Sequence, residues 1–354
     1  MIYFAIVVMI LFFAMILEKF QNIDLKILYY IIFIFVLVFF TGLRGDIEPD
    51  YLNYLDIFNN INYNSDVDVE LGFVYFNRLI HFLGGGFQWV VFLMAFITII
   101  LKVNFFFKYS KNFCFSILIY YCSVFFIYDF IAIRQALAMA IFMVSIPFLM
   151  ERKFLHYTVL IFLASLIHLS AIILLPLYFI LNYSFNKILL YLVLIFSTLV
   201  SVLQSDIKFV SPILNLLSLP GFASDKLDIY SKESMFAALS FRQLMLGFIF
   251  VFLLSKSDGK KTVVFLNIYL LGILLGTLLN EIPQLSYRIK AYFLWAESIL
   301  VVYFIHKIFY KYSLIRIIAL FILGLLYIYS LYNYLNILSE RQVGYIFPYR
   351  FFFE

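Results

Sequence analysis

Long apolar runs, separated by shorter polar links, make up most of this 354-residue chain. An α-helix needs about 20 mostly apolar residues to cross a membrane. The runs that approach this length are Ile2–Leu17, Leu25–Leu43, Phe87–Phe107, Phe113–Tyr128, Ile133–Met150, Tyr157–Leu181, Ile188–Leu203, Phe241–Leu254, Thr262–Glu281, Arg288–Lys307 and Leu314–Leu335. The pattern predicts an all-α, polytopic integral membrane protein with about ten or eleven transmembrane helices, in a single transmembrane domain over residues 1–354.

The composition supports this interpretation, because 66% of the residues are hydrophobic and only 13% are charged, whereas soluble domains usually carry about 25% charged residues. The net charge of +5 comes from Lys and Arg scattered between the apolar runs, which does not indicate a nucleic-acid partner. The N-terminal run predicts a first membrane helix, since it lacks the basic leader and cleavage site of a signal peptide. Four scattered His and two Cys predict no metal, disulfide or cofactor.

Two long links, about residues 44–86 and 204–240, are predicted to be extracytoplasmic loops. The first is acidic and no lysine occurs between Lys26 and Lys102, which favours the outer side. Within it, Leu71–Leu83 predicts an interfacial helix that the following glycines would end. In the second link, an apolar piece with two prolines predicts a re-entrant or interfacial segment, Phe209–Ser224.

Four short basic links are predicted to face the cytoplasm: Lys102–Lys111, Glu151–Lys153, Lys256–Lys261 and Lys307–Lys311. Counting spans from the N-terminus puts Gln204–Ser240 inside, whereas counting back from Lys256–Lys261 puts it outside. One apolar run must therefore be doubled or non-spanning. The uncharged run Phe154–Asn186 is the best candidate, so we place Gln204–Ser240 outside.

Ionisable residues near membrane helices are costly and are candidates for function. After the second run, Arg44 could bind phosphate oxygens, and Asp50 and Glu48 could accept a proton from a sugar hydroxyl. Tyr51 and Tyr54 are three residues apart and would share a helix face. The alternative is a solvated acidic loop with an interfacial arginine.

Two further candidates lie in the middle of the chain. Asp129 and Arg134 flank a short turn, where they would either form a helix-end salt bridge or leave Arg134 pointing into a cavity below the outer surface. His168 lies in an uncharged run, where it would either bond to a serine or a carbonyl, or act as a proton carrier or phosphate donor.

Cations near other predicted outer helix ends complete the set. Arg288 and Lys290 follow Glu281, and either interfacial snorkelling or anion binding would explain them. Arg242 opens another helix, and Tyr349 lies in a tail that an interfacial anchor role would explain. Several arginines at one outer face suit a doubly anionic pyrophosphate. These arginines are Arg44, Arg134, Arg242 and Arg288.

The ordered set of motifs resembles the EpsG-like branch of the Wzy-type O-antigen and exopolysaccharide polymerases. The resemblance runs from about Gly42 to the C-terminus. The segments that carry it are Arg44 with Asp50-Tyr51 and Tyr54, Ile133-Arg134-Gln135-Ala136, Leu163–Ala171 around His168, Tyr287-Arg288-Ile289, and Pro348-Tyr349. One departure is Glu48-Pro49, which stands where members often have a Gly-Thr pair.

The resemblance implies a GT-C-like helical bundle in the bacterial cytoplasmic (inner) membrane, with its active site on the outer side. There, a growing polysaccharide chain on undecaprenyl pyrophosphate would pass to a fresh lipid-linked repeat unit, without a nucleotide sugar. The membrane lipid, a flippase and a chain-length regulator are the expected partners. A flippase or transporter of the same lipid-linked oligosaccharide, or a polysaccharide ligase of related fold, is the alternative function.

In this mechanism the acceptor hydroxyl loses its proton to a base, for which Asp50 is the first candidate and His168 the second. Arg134 and Arg288, followed by Arg44 and Arg242, would stabilise the pyrophosphate leaving group. The full set of predicted substrate-contacting residues is Arg44, Tyr51, Tyr54, Arg134, Gln135, Arg242, Arg288 and Tyr349.

Overall fold

A computed structural model describes residues 2–20, 22–62, 69–203, 241–255, 258–341 and 347–354. In chain order the helices are α1 (Ile2–Phe20), α2 (Ile23–Gly42), α3 (Tyr51–Asn62), α4 (Leu71–Phe82), α5 (Phe87–Tyr109), α6 (Phe113–Tyr120), the π-helix Tyr121–Ile131, α7 (Ile133–Met150), α8 (Phe154–Ile167), the 3-10 helix Leu169–Leu174, α9 (Leu177–Leu181), α10 (Lys187–Val202), α11 (Phe241–Leu253), α12 (Lys260–Leu278), α13 (Pro283–Ile308) and α14 (Ser313–Arg341). Across these ranges the secondary structure is helical, apart from one isolated β-bridge between Arg44 and Phe351.

Within the described residues, eight helical runs are long and apolar enough to cross a membrane. They are α1, α2, α5, α6 continued by the π-helix, α7, α12, α13 and α14, and three shorter apolar helices are α8, α10 and α11. Each of the predicted apolar runs overlaps one of these helices. The prediction of an all-α, polytopic membrane protein is confirmed, and the GT-C-like arrangement stays a prediction.

Asparagine residues start several of these helices. Asn22 Oδ1 accepts a hydrogen bond from Asp24 N at 2.7 Å, at the start of α2. Asn112 and Asn186 cap α6 and α10 in the same way, by accepting from a backbone N–H three residues later. An N-cap side chain satisfies a backbone donor that has no partner inside the helix. The short polar links therefore mark the helix starts.

The outward faces of the long helices are apolar, which distinguishes them from surface helices of soluble proteins. On α2, Ile27, Ile31 and Phe35 are exposed at a spacing of four residues. A stripe of this kind needs an apolar solvent, and lipid provides one. The chain is thus a multi-pass membrane protein in which apolar side chains fill the interior and also cover the perimeter.

The chain divides into two compact units, which we call unit 1 (Met1–Leu175 and Val301–Glu354) and unit 2 (Pro176–Leu300). In unit 1, α5 packs against α2 and α7, α7 packs against α8, and α1 packs against α6 and α14. In unit 2, α10 packs against α11 and α12, and Asn267 Nδ2 of α12 donates to Leu181 O at 2.9 Å. The predicted single domain stays a prediction.

The chain reverses direction at His168, inside the run predicted as one span over Tyr157–Leu181. His168 has an extended backbone (φ −151°, ψ 109°) after α8. The 3-10 helix then runs back beside α8, where Tyr157 donates its hydroxyl proton to Leu174 O at 2.5 Å. A single span over Tyr157–Leu181 is therefore wrong. The reversal agrees with the prediction that the run Phe154–Asn186 is doubled or non-spanning, and which of the two applies stays a prediction. The link Gln204–Ser240, including Phe209–Ser224, lies outside the described residues.

The acidic link folds into two short helices, α3 and α4. The predicted helix Leu71–Leu83 is confirmed as α4, which ends in a turn where Gly84 has a positive φ of 77°. A positive φ strains residues that have a Cβ atom, so glycine suits this position. Tyr51 and Tyr54 lie on α3, one turn apart as predicted.

A buried ion pair in unit 1 corrects two predictions. Lys102 lies within α5, not in a cytoplasmic link, and its Nζ is 2.9 Å from Asp129 Oδ1. Tyr120 donates to the other oxygen of Asp129 and accepts from Lys102 at 2.6 Å. The predicted salt bridge between Asp129 and Arg134 is wrong, because Asp129 turns into the bundle towards α5.

The π-helix makes this contact possible. Tyr120 and Asp129 are nine residues apart, which is about two and a half turns of an α-helix and would put them on opposite faces. The wider π-helix turn, about 4.4 residues, brings the two side chains back to one face after two turns. The irregular winding over Tyr121–Ile131 therefore has a clear structural result, the grouping of Lys102, Tyr120 and Asp129.

Candidate functional site

Glu70 joins two of the residues singled out by sequence, and it comes directly before α4. Its Oε2 lies 2.5 Å from Arg134 Nη1. Its Oε1 lies 3.2 Å from His168 Nδ1 and accepts a hydrogen bond from Leu169 N at 3.0 Å. We call Tyr54, Glu70, Arg134 and His168 the His168 cluster. One carboxylate thus ties together the starts of α4 and α7 and the end of α8.

The local fold explains how these ends meet. Leu169 is the second residue after α8, and its backbone N–H bonds to Glu70 and not to a helical carbonyl. The first turn of α4 packs against the last turn of α8, because Gly72 lies against Leu166. A Cβ atom on Gly72 would lie 2.6 Å from Leu166 O. Only glycine allows this approach, which brings Glu70 within reach of His168.

The charge of Glu70 is well defined. Burial alone would raise the pKa of its carboxyl, but the hydrogen bond to His168, the charge of Arg134 and the N–H of Leu169 lower that pKa to about 2. Glu70 is therefore ionised near neutral pH, and its Oε1, 3.2 Å from His168 Nδ1, favours the tautomer with the proton on that nitrogen. A neutral imidazole in this tautomer carries its lone pair on Nε2, which suits it to accept a proton from a hydroxyl.

Arg134 is flanked by aromatic rings as well as by Glu70. Its guanidinium carbon lies 5.6 Å from the ring centre of Tyr54 and 5.4 Å from that of Phe73. Its buried Nε has no hydrogen-bond partner among the described residues. Burial raises the pKa of the Tyr54 hydroxyl to about 12, although Arg134 opposes this, so the hydroxyl stays protonated. The arginine therefore keeps donor capacity next to a protonated phenol.

The neighbouring predicted residues have different environments. Asp50 is half-buried just before α3, its charge acts on Tyr54, and its backbone N–H donates to Glu48 Oε2 at 2.7 Å. The Tyr51 hydroxyl donates to Gln88 Oε1 at 3.4 Å. Gln135 is buried in α7. The structure places Tyr54, Arg134 and His168 in one cluster, and Asp50 acts on that cluster by its charge.

Arg44 is held by contacts inside the protein. Its guanidinium is fully buried, donates to Thr41 O at 2.6 Å and lies 3.5 Å from Glu48 Oε1. Burial raises the pKa of Glu48 to about 8, even though the charge of Arg44 lowers it. The C-terminal tail covers this region, since Phe352 N donates to Leu43 O at 3.0 Å. A ligand-binding role for Arg44 stays a prediction.

Tyr349 holds the same tail in place. Its hydroxyl donates to Phe40 O at 2.7 Å, and its ring stacks on the Phe40 ring with centres 5.2 Å apart. This matches the anchor alternative for the tail, and a substrate contact by Tyr349 stays a prediction. The partly buried hydroxyl is already used in a hydrogen bond within unit 1.

Unit 2 contains a second group of charged residues. Arg242 Nη1 lies 2.6 Å from Glu297 Oε1. The Tyr269 hydroxyl, 3.2 Å from Glu297 Oε2, donates to Gln243 O at 2.9 Å. Lys290 is buried, and the charges of Arg242 and Glu297 both act on it. We call Arg242, Tyr269, Lys290 and Glu297 the Lys290 cluster. Arg288 is half-buried on α13, and the predicted gathering of four arginines stays a prediction.

Sequence reasoning missed the two carboxylates that organise these clusters. Glu70 is one of several acidic residues in the first long link, and its partners are 64 and 98 residues away in the sequence. Glu297 lies in the interior of an apolar run, and this position was itself a signal, because an ionisable residue inside a membrane helix is a functional candidate. The part of the chain that the structure describes holds no group of three or more His, Cys, Asp or Glu arranged for a metal ion.

A multi-pass helical membrane protein with two partly buried polar clusters is thus the class that the fold defines. The EpsG family model matches residues 27–351, and the chain belongs to the EpsG family. It is accordingly a membrane protein of polysaccharide biosynthesis. No curated protein and no solved structure matches the chain.

Proposed function

We propose that this protein is a polysaccharide polymerase, a membrane glycosyltransferase that joins lipid-linked repeat units. It transfers the growing chain from undecaprenyl pyrophosphate to a sugar hydroxyl of a fresh undecaprenyl-pyrophosphate-linked unit. The product is O-antigen or a related surface polysaccharide. Membership of the EpsG family supports the pathway, and the observation that carries the reaction is the ionised Glu70 held against His168 Nδ1.

In the proposed step, His168 is the general base. Nε2 accepts the proton of the acceptor hydroxyl as the hydroxyl oxygen bonds to the anomeric carbon of the donor sugar. The bond from that carbon to the phosphate oxygen breaks, and its electron pair leaves with the diphosphate. Glu70 holds the ring and stabilises the imidazolium that forms. This replaces Asp50 by His168 as the first candidate base.

Other residues of the His168 cluster fit supporting roles. The Tyr54 and Phe73 rings lie beside Arg134 and offer aromatic surface for sugar rings. Arg134 is paired with Glu70, which holds its guanidinium in place and offsets part of its positive charge. In this proposal it orients an anionic group as well as attracting it. The diphosphate leaving group needs positive charge as the bond breaks, and Arg134 and Arg288 remain the proposed sources.

The proposed location is the outer face of the bacterial cytoplasmic membrane. The acidic link that contains Glu70 holds no lysine, which the positive-inside rule associates with the non-cytoplasmic side. A flippase that delivers the lipid-linked unit and a chain-length regulator are the proposed partners. A flippase or a ligase activity of the chain itself is the outcome that would replace the polymerase proposal.

The test is His168→Ala in cells that lack the native gene, with polymer length read from gels. We expect synthesis of long polymer to fall by about 10²–10⁴-fold, the usual contribution of a general base. Products with a single repeat unit should remain. The matched control is His156→Ala, at the exposed start of the same helix, which should make normal polymer.

Two results would contradict the proposal. A normal ladder of polymer from His168→Ala, at wild-type protein levels, would remove His168 as the base. Loss of every repeat unit in the gene deletion, single units included, would favour a flippase or a ligase.

A further inference from the structure

A cavity of about 460 Å³ lies in unit 2, where α10 and α12 begin and α11 ends. Sites for small molecules measure about 300–1,000 Å³, so this volume is large enough for a ligand. The lining comes from the link before α10, the link after α11 and the first turns of α10 and α12. These three helices pack against one another, so the cavity belongs to one local part of the fold.

The lining of this cavity is amphipathic. Its buried part is apolar and includes Leu190 and Leu266. Among the described residues that line it, the charged ones are a single cation, the exposed Lys187, and a single anion, the half-buried Asp258. A lining of this kind suits a molecule with an apolar body and a polar head that carries both signs of charge.

Asn267 places an acceptor at the cavity. The residue is 3% exposed and belongs to the lining. Its Nδ2 donates to Leu181 O at 2.9 Å and to Tyr183 O at 2.8 Å, so both N–H groups are used. Its Oδ1 accepts no hydrogen bond from the described residues and is not enclosed by them. A buried amide oxygen normally has a donor, and here the cavity is where a donor can come from.

Lys187 places donors at the same cavity. It is the first residue of α10, and its Nζ donates to Phe252 O at 3.1 Å. An ammonium group has three N–H donors, so this bond leaves two of them for a ligand. The N-terminus of α10 adds partial positive charge beside the lysine. This part of the lining therefore suits a phosphate group.

Asp258 adds a second acceptor. Its Oδ2 accepts a hydrogen bond from Ser255 N at 2.7 Å, which fixes the carboxylate in the link between α11 and α12. Together with Asn267 Oδ1 it favours a ligand group that donates N–H bonds and carries positive charge. The cavity thus matches a phosphate joined to a primary ammonium.

The position of the cavity indicates that the ligand is a membrane lipid. Links between membrane helices lie at the level of the lipid headgroups. Beside Lys187, the apolar side chains of Ile188 and Phe252 are 71% and 73% exposed, so they face lipid tails. The basic link Lys256–Lys261 predicts that this side faces the cytoplasm.

We infer that the cavity binds the headgroup of a phospholipid that carries a phosphate and a primary ammonium, which is phosphatidylethanolamine, in the leaflet on this side. The phosphate accepts hydrogen bonds from Lys187, and the ammonium donates to Asn267 Oδ1 and to the Asp258 carboxylate. The acyl chains run along Ile188 and Phe252. The site uses no residue of the His168 cluster, so it does not rest on the proposed function.

The experiment compares the binding of phosphatidylethanolamine and phosphatidylcholine to the purified full-length protein in detergent, by native mass spectrometry. Both lipids are zwitterionic and carry the same phosphate, but the quaternary ammonium of phosphatidylcholine has no N–H. We expect phosphatidylethanolamine to bind about tenfold more tightly, as when a charge-assisted hydrogen bond is lost. Phosphatidylglycerol, which is anionic, is the third lipid and should also bind more weakly.

Two variants locate the site. Val263→Trp puts an indole into the cavity and should abolish the preference for phosphatidylethanolamine, whereas Val8→Trp, the same change at an exposed position of α1, should keep it. Lys187→Gln should weaken the binding of both zwitterionic lipids by about fivefold, because it removes one cation from the phosphate. Its control is Lys311→Gln, at an exposed position of unit 1, which should bind like the wild type.

Thermal unfolding without added lipid separates binding from folding. Val263→Trp should melt at the wild-type temperature, because the indole enters open space. If Val263→Trp does not fold, the exposed Lys187→Gln variant still decides between binding and no binding at this site.

Four results would overturn the inference. Equal affinity of the wild type for phosphatidylethanolamine and phosphatidylcholine would remove the recognition of the ammonium. Tighter binding of phosphatidylglycerol would define a site for anionic lipids instead. A lipid preference that survives in folded Val263→Trp would place the lipid elsewhere, and unchanged binding by Lys187→Gln would remove the phosphate contact.

Discussion

The His168 cluster and the Lys290 cluster each centre on one glutamate, but they differ in how that glutamate is used. Glu70 gives one oxygen to Arg134 and the other to His168 and Leu169 N, so its neighbours are fixed around it. Glu297 binds Arg242, while Lys290 stays without an ion-pair partner in the described residues. One glutamate therefore fixes three groups from other elements directly, whereas the other contacts its arginine directly and acts on its lysine through charge alone.

Glu70→Gln should have the largest effect in this comparison, because an amide neither fixes the tautomer of His168 nor stabilises the imidazolium. We expect polymer synthesis to fall by about a hundredfold. The acidic limb of the rate profile should move to lower pH, since the negative charge that favours the protonated ring is gone. Glu70 itself, with its pKa lowered to about 2 mainly by His168 and Arg134 against the effect of burial, does not titrate in that range.

The measurement is the rate of polymer formation from lipid-linked units between mildly acidic and mildly alkaline pH. Glu151→Gln is the control, because Glu151 is exposed and pairs only with Lys153 at 2.7 Å among the described residues. An unchanged acidic limb in Glu70→Gln would show that Glu70 does not act through His168.

Gly72→Ala should have the next largest effect. The new Cβ would meet Leu166 O, a backbone atom that cannot rotate away. α4 and α8 must then separate, which moves Glu70 away from His168, and a misplaced catalytic group loses rate steeply with distance. We expect about a tenfold loss of polymer synthesis.

The control for Gly72→Ala is Gly86→Ala, in the same link, where a Cβ would have nothing within 4 Å. Both variants should reach the membrane in equal amounts. If Gly72→Ala supported the wild-type rate, the close contact between the two helices would have no part in holding the His168 cluster.

Gly276→Ala should have the smallest effect, and only on the Lys290 cluster. Its new Cβ would meet the stem of Lys290, a flexible side chain that can shift. We expect a loss of stability of about 1 kcal/mol in thermal unfolding, since the lysine stem must shift to make room for the methyl group. Gly259→Ala, just before the same helix and in open space, is the control. A melting temperature of Gly276→Ala equal to or above that of the wild type would contradict the close packing of the lysine stem on this position.

The membrane helices could be predicted from the sequence because the length and polarity of a run decide whether it crosses a bilayer. The exception was the run after Lys153, where the chain turns back at His168. The cause of this turn lies far away in the sequence. Glu70 accepts a hydrogen bond from Leu169 N, so this N–H makes no helical hydrogen bond and α8 ends there. The apolar pattern contains no sign of that interaction.

Tyr54, Arg134 and His168 were predicted from the sequence as members of the candidate site, whereas Glu70 and the pairings were not. His168 and Arg134 were identified as costly ionisable groups, but the partner of each is Glu70, which lies on a different element. The expected pairing of Asp129 with Arg134 failed because neighbours in sequence can turn to opposite sides at a helix end. Lys290 was grouped with Arg288, and its lack of a partner became visible only with the packing against Gly276.

The π-helix Tyr121–Ile131 has a consequence for how this chain can change over evolution. Its wider winding, and not any one side chain, aligns Tyr120 with Asp129. Removing one residue would rotate Asp129 by about 80°, the step per residue at about 4.4 residues per turn, and would leave Lys102 among apolar side chains without its carboxylate. Most residues of the segment are also buried, so its length and its side chains are both constrained, and insertions or deletions there need a compensating change on α5.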